Sequence, residues 1–141
     1  ISEYAFTFNA ESVNVTGRCD SIFIDSSDNI ILIDYKTSKT KKNEKELKED
    51  IQVRIYSLFL FLEGLTVNGE IIKKIPDKIL IIYLRDTLIE VNISLTIDDI
   101  KETINKINEV RKNIVDNDFR AKIGRHCNYC IYKDLICPEF N

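Results

Sequence analysis

The chain has 141 residues, 44% of them hydrophobic and 30% charged, with a formal net charge of −3. That describes one soluble domain large enough to bury a single core, and its acidic balance argues against nucleic-acid binding by bulk charge alone. No apolar run approaches a membrane span and no signal peptide is evident, so a cytoplasmic location away from membranes is expected. Methionine is absent and the first residues already read as a strand, which suggests a fragment of a longer chain.

Tyr4, Phe6 and Phe8 alternate with small or polar neighbours and predict a first strand reaching about Asn9. Residues 13–24 and 30–36 are rich in β-branched side chains. The Asp25-Ser26-Ser27-Asp28-Asn29 run between them is turn chemistry, so the two form an antiparallel hairpin. A turn centred on Ser27 sets Asp20 opposite Asp34, and directly opposed like charges repel. Lys36, two residues on and on the same face, is one possible compensation. A divalent cation on oxygen ligands is another, and the plain alternative is that these are solvated strand ends. Ile30 to Ile33 and Ile22 to Ile24 are apolar without alternation, which predicts strands covered on both faces and acids at the lip of a core.

A helix is expected from roughly Glu44 to Glu63, with Leu47, Ile51, Ile55, Leu58 and Leu62 at spacings of three and four and Gly64 ending it. Its second half is apolar almost all round. Val67-Asn68-Gly69-Glu70 is a turn, and residues 71–77, with Pro76, are irregular or a short edge segment. Residues 79–84 predict a buried strand and residues 88–95 its hairpin partner across Arg85-Asp86-Thr87. Thr96 opens a second long helix with Asp99 in the capping-box position; Ile100, Ile104, Ile107 and Ile114 form its apolar stripe. The order implies a mixed sheet with helices on its faces.

Lys36, Lys39, Lys41, Lys42, Lys45 and Lys48 make one local basic strip, and residues 120–133, which contain no acid, make another. Either phosphate contact or a solvated loop fits the first. Cys127, Cys130 and Cys137 form a compact thiolate set suited to iron–sulfur or zinc, with reduced free thiols or a disulfide as alternatives. His126 could complete a Cys₃His zinc site, though its adjacency to Cys127 makes the geometry awkward. Cys19 is expected to pack in the core beside Val15, Phe23 and Tyr35. Tyr129 and Tyr132, interleaved with Arg125 and Lys133, could stack bases or pack around the cysteines.

Gly17-Arg18-Cys19-Asp20, then Asp34-Tyr35-Lys36-Thr37, then Gln52 with Tyr56 four residues on, together resemble the PD-(D/E)XK nuclease superfamily, and within it the RecB-like branch. Phe119 to Pro138 resembles the tail of RecB-like nucleases that carry an iron–sulfur cluster. The resemblance implies an α/β fold: a restriction-endonuclease-like mixed β-sheet flanked by helices, with a cysteine-bearing C-terminal tail. Residues 1–141 would be one nuclease domain, with a core of about 1–118 and a tail of about 119–141.

It further implies that Asp20, Asp34 and the Tyr35 carbonyl hold Mg²⁺ or Mn²⁺, that Lys36 is the catalytic lysine, and that Gln52 and Tyr56 face the active site. Cys127, Cys130 and Cys137 would bind a 4Fe–4S cluster, or zinc, with a fourth cysteine upstream. Glu3 matches an acidic position on the strand before the first motif, with no role assigned. A metal-binding histidine upstream of the first strand, usual in RecB-like enzymes, has no match here, so weak metal binding and poor cutting are expected. The implied activity is hydrolysis of DNA, single-stranded by preference, in end processing and repair, beside a helicase region. A stand-alone CRISPR-associated exonuclease of the same branch and a catalytically silent DNA-binding module are the rival readings.

Overall fold

The computed structural model describes residues 2–85 and 89–140, with Ile89 described for its backbone only. The chain folds as two compact units, residues 1–108 and 109–141. The strands of the first unit are β1 (Ser2–Ala10), β2 (Val13–Ile24), β3 (Ile30–Lys36), β4 (Leu65–Val67), β5 (Glu70–Ile72), β6 (Lys78–Tyr83) and β7 (Ile89–Ile93). Five of them form a sheet in the order β1-β2-β3-β6-β7, and β4 with β5 makes a small separate hairpin. Only β3 and β6 pair in parallel; the other neighbours in the sheet are antiparallel. This is the mixed, restriction-endonuclease-like sheet, flanked by α1 (Glu44–Lys48), α2 (Ile51–Leu62) and the first part of α3 (Ile97–Val115).

The helix expected from Glu44 to Glu63 is in fact two. Asp50 leaves the helical conformation, with φ −66° and ψ 119°, and its carboxylate accepts from the Gln52 N–H, capping α2. An Asp that satisfies a first-turn N–H is a strong helix start, and here it overrides a periodicity that runs through the break. At the other end Gly64 takes φ +75°, which an L side chain resists. A Cβ there would also collide with the Ile72 carbonyl oxygen. Thr96 and Asp99 form the expected reciprocal cap of α3.

One apolar cluster holds this unit together. It draws on Phe6, Phe8, Ile22 and Leu32 from the sheet, Leu47 of α1, Leu58 and Phe59 of α2 and Ile100 of α3, with Ile104 and Ile107 packed against it. Phe6 stacks on Phe59 at 4.5 Å between ring centroids. The opposite sheet face is less covered than expected: Phe23 and Tyr35 are 49% and 42% exposed, because the helices of the described residues all contribute to the single cluster. Cys19 does lie in that cluster, without Phe23 or Tyr35 beside it, and burial pushes its thiol up to about 11.

Arg54 is the unexpected member of α2. It is 1% exposed, donates to the Lys48 carbonyl and to Glu102, and pairs with Glu49 and Asp99. A buried guanidinium is tolerated when its donors are matched in this way, and it ties the α1–α2 joint to the start of α3.

In the second unit, a 3₁₀ turn covers Arg125–Tyr129, Asp118 accepts both arms of Arg120, and Lys133 lies 5.0 Å from the centre of the Phe140 ring.

Candidate active site

The β2–β3 register is Ser21↔Ile33, Ile22↔Leu32, Phe23↔Ile31 and Ile24↔Ile30. Continued by one residue it sets Asp20 opposite Asp34, as the turn centre predicts. Ladder pairing stops at Ser21, and the strands part. The Asp20 carboxylate takes over, accepting from the Tyr35 N–H at 2.8 Å. β2 also changes face here: Val15 and Cys19 contribute to the core on the near side of Asp20, Ile22 and Ile24 on the far side. On β1, across from Asp20 in the register, Glu3 sits at φ 51°, a conformation that costs energy for a non-glycine residue and is met at functional sites.

Asp34 is 2% exposed. Burial holds its carboxyl above the usual 3.8, only partly offset by the Lys36 ammonium, and the charges of Asp20 and Asp50 push it further up. Lys36 Nζ lies 2.7 Å from Asp34 Oδ2. At that distance the ammonium and the buried carboxylate form a charge-assisted pair, which draws the carboxyl's pKa down against the effect of burial.

Lys36 also donates to Gln52 Oε1 at 2.8 Å. The Gln52 amide donates to the Tyr56 hydroxyl at 3.3 Å, and that hydroxyl donates to the Arg18 carbonyl at 2.8 Å. The chain β3–α2–β2 is thus closed by side chains four apart on one helix face. Burial, then the charges of Asp34 and Asp20, hold the Tyr56 phenol above its ordinary value.

The structure therefore brings Asp20, Asp34, Lys36, Gln52 and Tyr56 together at the end of the sheet. Tyr35 contributes its backbone, its ring being exposed. Two carboxylates, one of them buried, offer hard oxygen donors that fit Mg²⁺ or Mn²⁺. No third acid, His or Cys joins them: the described residues hold no group of three such side chains able to hold a metal.

Sequence reasoning passed over a second layer. Lys42 pairs with Asp50 at 2.6 Å, and the Lys42 N–H donates to the Tyr83 hydroxyl at 2.9 Å, pinning the loop after β3. Burial raises Asp50, but hydrogen bonds from Lys42 and the Gln52 N–H, with the charges of Lys36 and Lys42, hold it below the ordinary carboxylate range. The only sequence signal was an N-cap residue type directly before the apolar run of α2.

The sequence matches the PD-(D/E)XK nuclease superfamily over residues 1–138. The chain belongs to that superfamily. Its members are generally metal-dependent nucleases that typically use Mg²⁺ or Mn²⁺. Among solved structures, this superfamily chain is similar to the crystal structure of SSO0001, with a TM-score of 0.57 and 22% identity over 99% of its own length. It spans 60% of that protein, and the likeness is one of fold. No match is found among curated proteins.

The cysteine set is a different matter from the nuclease site. Cys127, Cys130 and Cys137 are free thiols and are not gathered into a metal-binding group among the described residues. Cys127 accepts from the Gly124 N–H, Cys130 is exposed, and Ile131, Leu135 and Ile136 around them are each 73% exposed. Among the described residues no group able to hold the expected 4Fe–4S cluster or zinc is found. Nor do the tyrosines pack around it, Tyr129 being 90% exposed.

Proposed function

We propose that the chain is a Mg²⁺- or Mn²⁺-dependent deoxyribonuclease domain of the RecB-like branch. On this reading it hydrolyses phosphodiester bonds of single-stranded DNA during end processing and repair, beside a helicase region. One observation carries the proposal: Lys36 is held between the buried Asp34 carboxylate and Gln52, with Asp20 directly beyond on the neighbouring strand. The strand preference, the branch and the helicase context rest on the motif likeness alone.

Asp20, Asp34 and the Tyr35 carbonyl would hold the cation, which when bound supplies Lewis acidity to the phosphate. Lys36 supplies a fixed positive charge toward the developing phosphorane charge and a donor to orient the attacking water. Gln52 prevents the ammonium from collapsing wholly onto Asp34, because its carbonyl takes one of three N–H donors. Tyr56 in turn sets the carboxamide so that its oxygen, not its nitrogen, faces Lys36. Asp20 is anchored through the Tyr35 N–H, which leaves its other oxygen free for a ligand.

Cleavage of a labelled single-stranded oligonucleotide with Mn²⁺ tests this, comparing the unsubstituted chain with Asp20→Asn, Asp34→Asn and Lys36→Ala. Each variant should lose at least about a hundredfold in rate, the scale of removing one preorganised charge-stabilising group. Equal rates in all four would remove the assignment.

A further inference from the structure

We propose that a groove between β2 and α2 seats the nucleotide adjoining the scissile phosphate, its own phosphate on Arg18 and its sugar and base against Ile51 and Ile55. This rests on the nuclease reading above and extends it to a substrate-binding subsite. The groove encloses about 340 Å³ and is lined on the strand side by Gly17 and Arg18, on the helix side by Ile51, Gln52, Ile55 and Tyr56. Gln52 and Tyr56 are the residues that hold Lys36, so the groove is continuous with the reacting centre rather than a separate hollow.

Three features make it suitable for a nucleotide. First, β2 pairs with β1 along Val13–Ser21 but with β3 only from Ser21 onward. Between Val13 and Asp20 one edge of the strand is thus left without a strand partner among the described residues, and a chain can approach closely. Gly17 lines the groove with backbone alone, because a Cβ there would strike the buried Phe6 ring at 2.5 Å. Second, Ile51 is 48% exposed on the first turn of α2. Apolar surface beside a catalytic amide gives a flat, sequence-tolerant contact for a sugar and base face.

Third, Arg18 is loosely committed. Its side chain is 68% exposed, and its contact with Glu3, itself 76% exposed, is 3.8 Å long. Such a pair holds little, whereas a guanidinium fork matches a phosphate well. The acid-lined centre and this cation then alternate with the charge pattern of a strand that crosses the site: metal for the scissile phosphate, Arg18 for the next.

The test is steady-state cleavage of a labelled single-stranded oligonucleotide with Mn²⁺ over a salt series. Ile51→Asp and the milder Ile51→Ser are measured beside Arg18→Ala, with Ile71→Asp, an exposed position on β5, as a control and melting curves to verify folding. Ile51→Asp should raise KM about tenfold with kcat nearly unchanged, the cost typical of one lost nucleotide contact. Arg18→Ala should raise KM and reduce the slope of log KM against log salt by about one, while Ile71→Asp matches the unsubstituted chain. If Ile51 and Arg18 variants match it too, while Asp34→Asn is dead, the groove assignment is overturned and the nuclease reading stands. If the unsubstituted chain does not cut, both fall together.

Discussion

Replacing Asp34 by asparagine should make the protein more stable while abolishing cleavage. The carboxylate is 2% exposed, and burial outweighs the Lys36 ammonium 2.7 Å away in setting its raised pKa. The folded protein therefore binds this proton more tightly than the unfolded chain does. As pH rises from the ordinary carboxylate range through the folded value, the unfolded state loses its proton first and stability falls, so that at neutral pH the ionised group opposes folding.

Taking an ionised carboxylate out of water is costly even when it is paired. The ammonium offsets part of this, and a net gain of about 1 kcal/mol is expected for the neutral isostere. With a urea slope of about 2 kcal/mol per M, the midpoint should rise by roughly 0.5 M. Urea unfolding followed by circular dichroism at neutral pH, then in acid where Asp34 is protonated, checks both magnitude and sign. The gain should vanish in acid. A less stable Asp34→Asn at neutral pH, or a gain independent of pH, would refute the claim that burial dominates at this carboxylate.

Gln52→Ala should lower the Mn²⁺-dependent rate by about 10–100-fold, the scale of losing a group that orients a functional one, with melting unchanged because Gln52 is exposed; a rate equal to that of the unsubstituted chain would show that Lys36 needs no such support. Gly64→Ala should destabilise by more than about 1 kcal/mol, since it combines a left-handed φ with a backbone clash and L residues resist that conformation; denaturant titration reads it. Iodoacetamide on the native protein should label Cys127, Cys130 and Cys137 but not Cys19, whose thiol is buried and raised to about 11. Mass spectrometry of the labelled peptides checks this, and early modification of Cys19 would contradict it.

The juxtaposition of Asp20 and Asp34 was legible because two local rules agree: turn residues locate the hairpin centre, and a period of two then fixes which residues meet. The helix boundary at Thr96 was legible for the same reason, a cap and a period coinciding. The break at Asp50 was not, because an apolar spacing of three and four continues across it and conceals a change of axis. Arg54 was invisible in an otherwise apolar stretch, since its burial depends on Glu49, Asp99 and Glu102, two of which lie more than forty residues away in sequence. The turn expected at Arg85-Asp86-Thr87 falls, beyond Arg85, outside the described residues. The cysteine spacing describes a capacity of the thiols; spacing alone supplies no force to assemble them.

Where β2 and β3 separate, the main chain at Tyr35 is secured by a carboxylate instead of a neighbouring carbonyl. Its amide proton therefore works as a built-in gauge of Asp20. A cation held on the carboxylate's other oxygen would draw charge away from that bond, weaken it and quicken exchange of one backbone hydrogen with solvent, so that nuclear magnetic resonance could watch the centre being loaded without a substrate present.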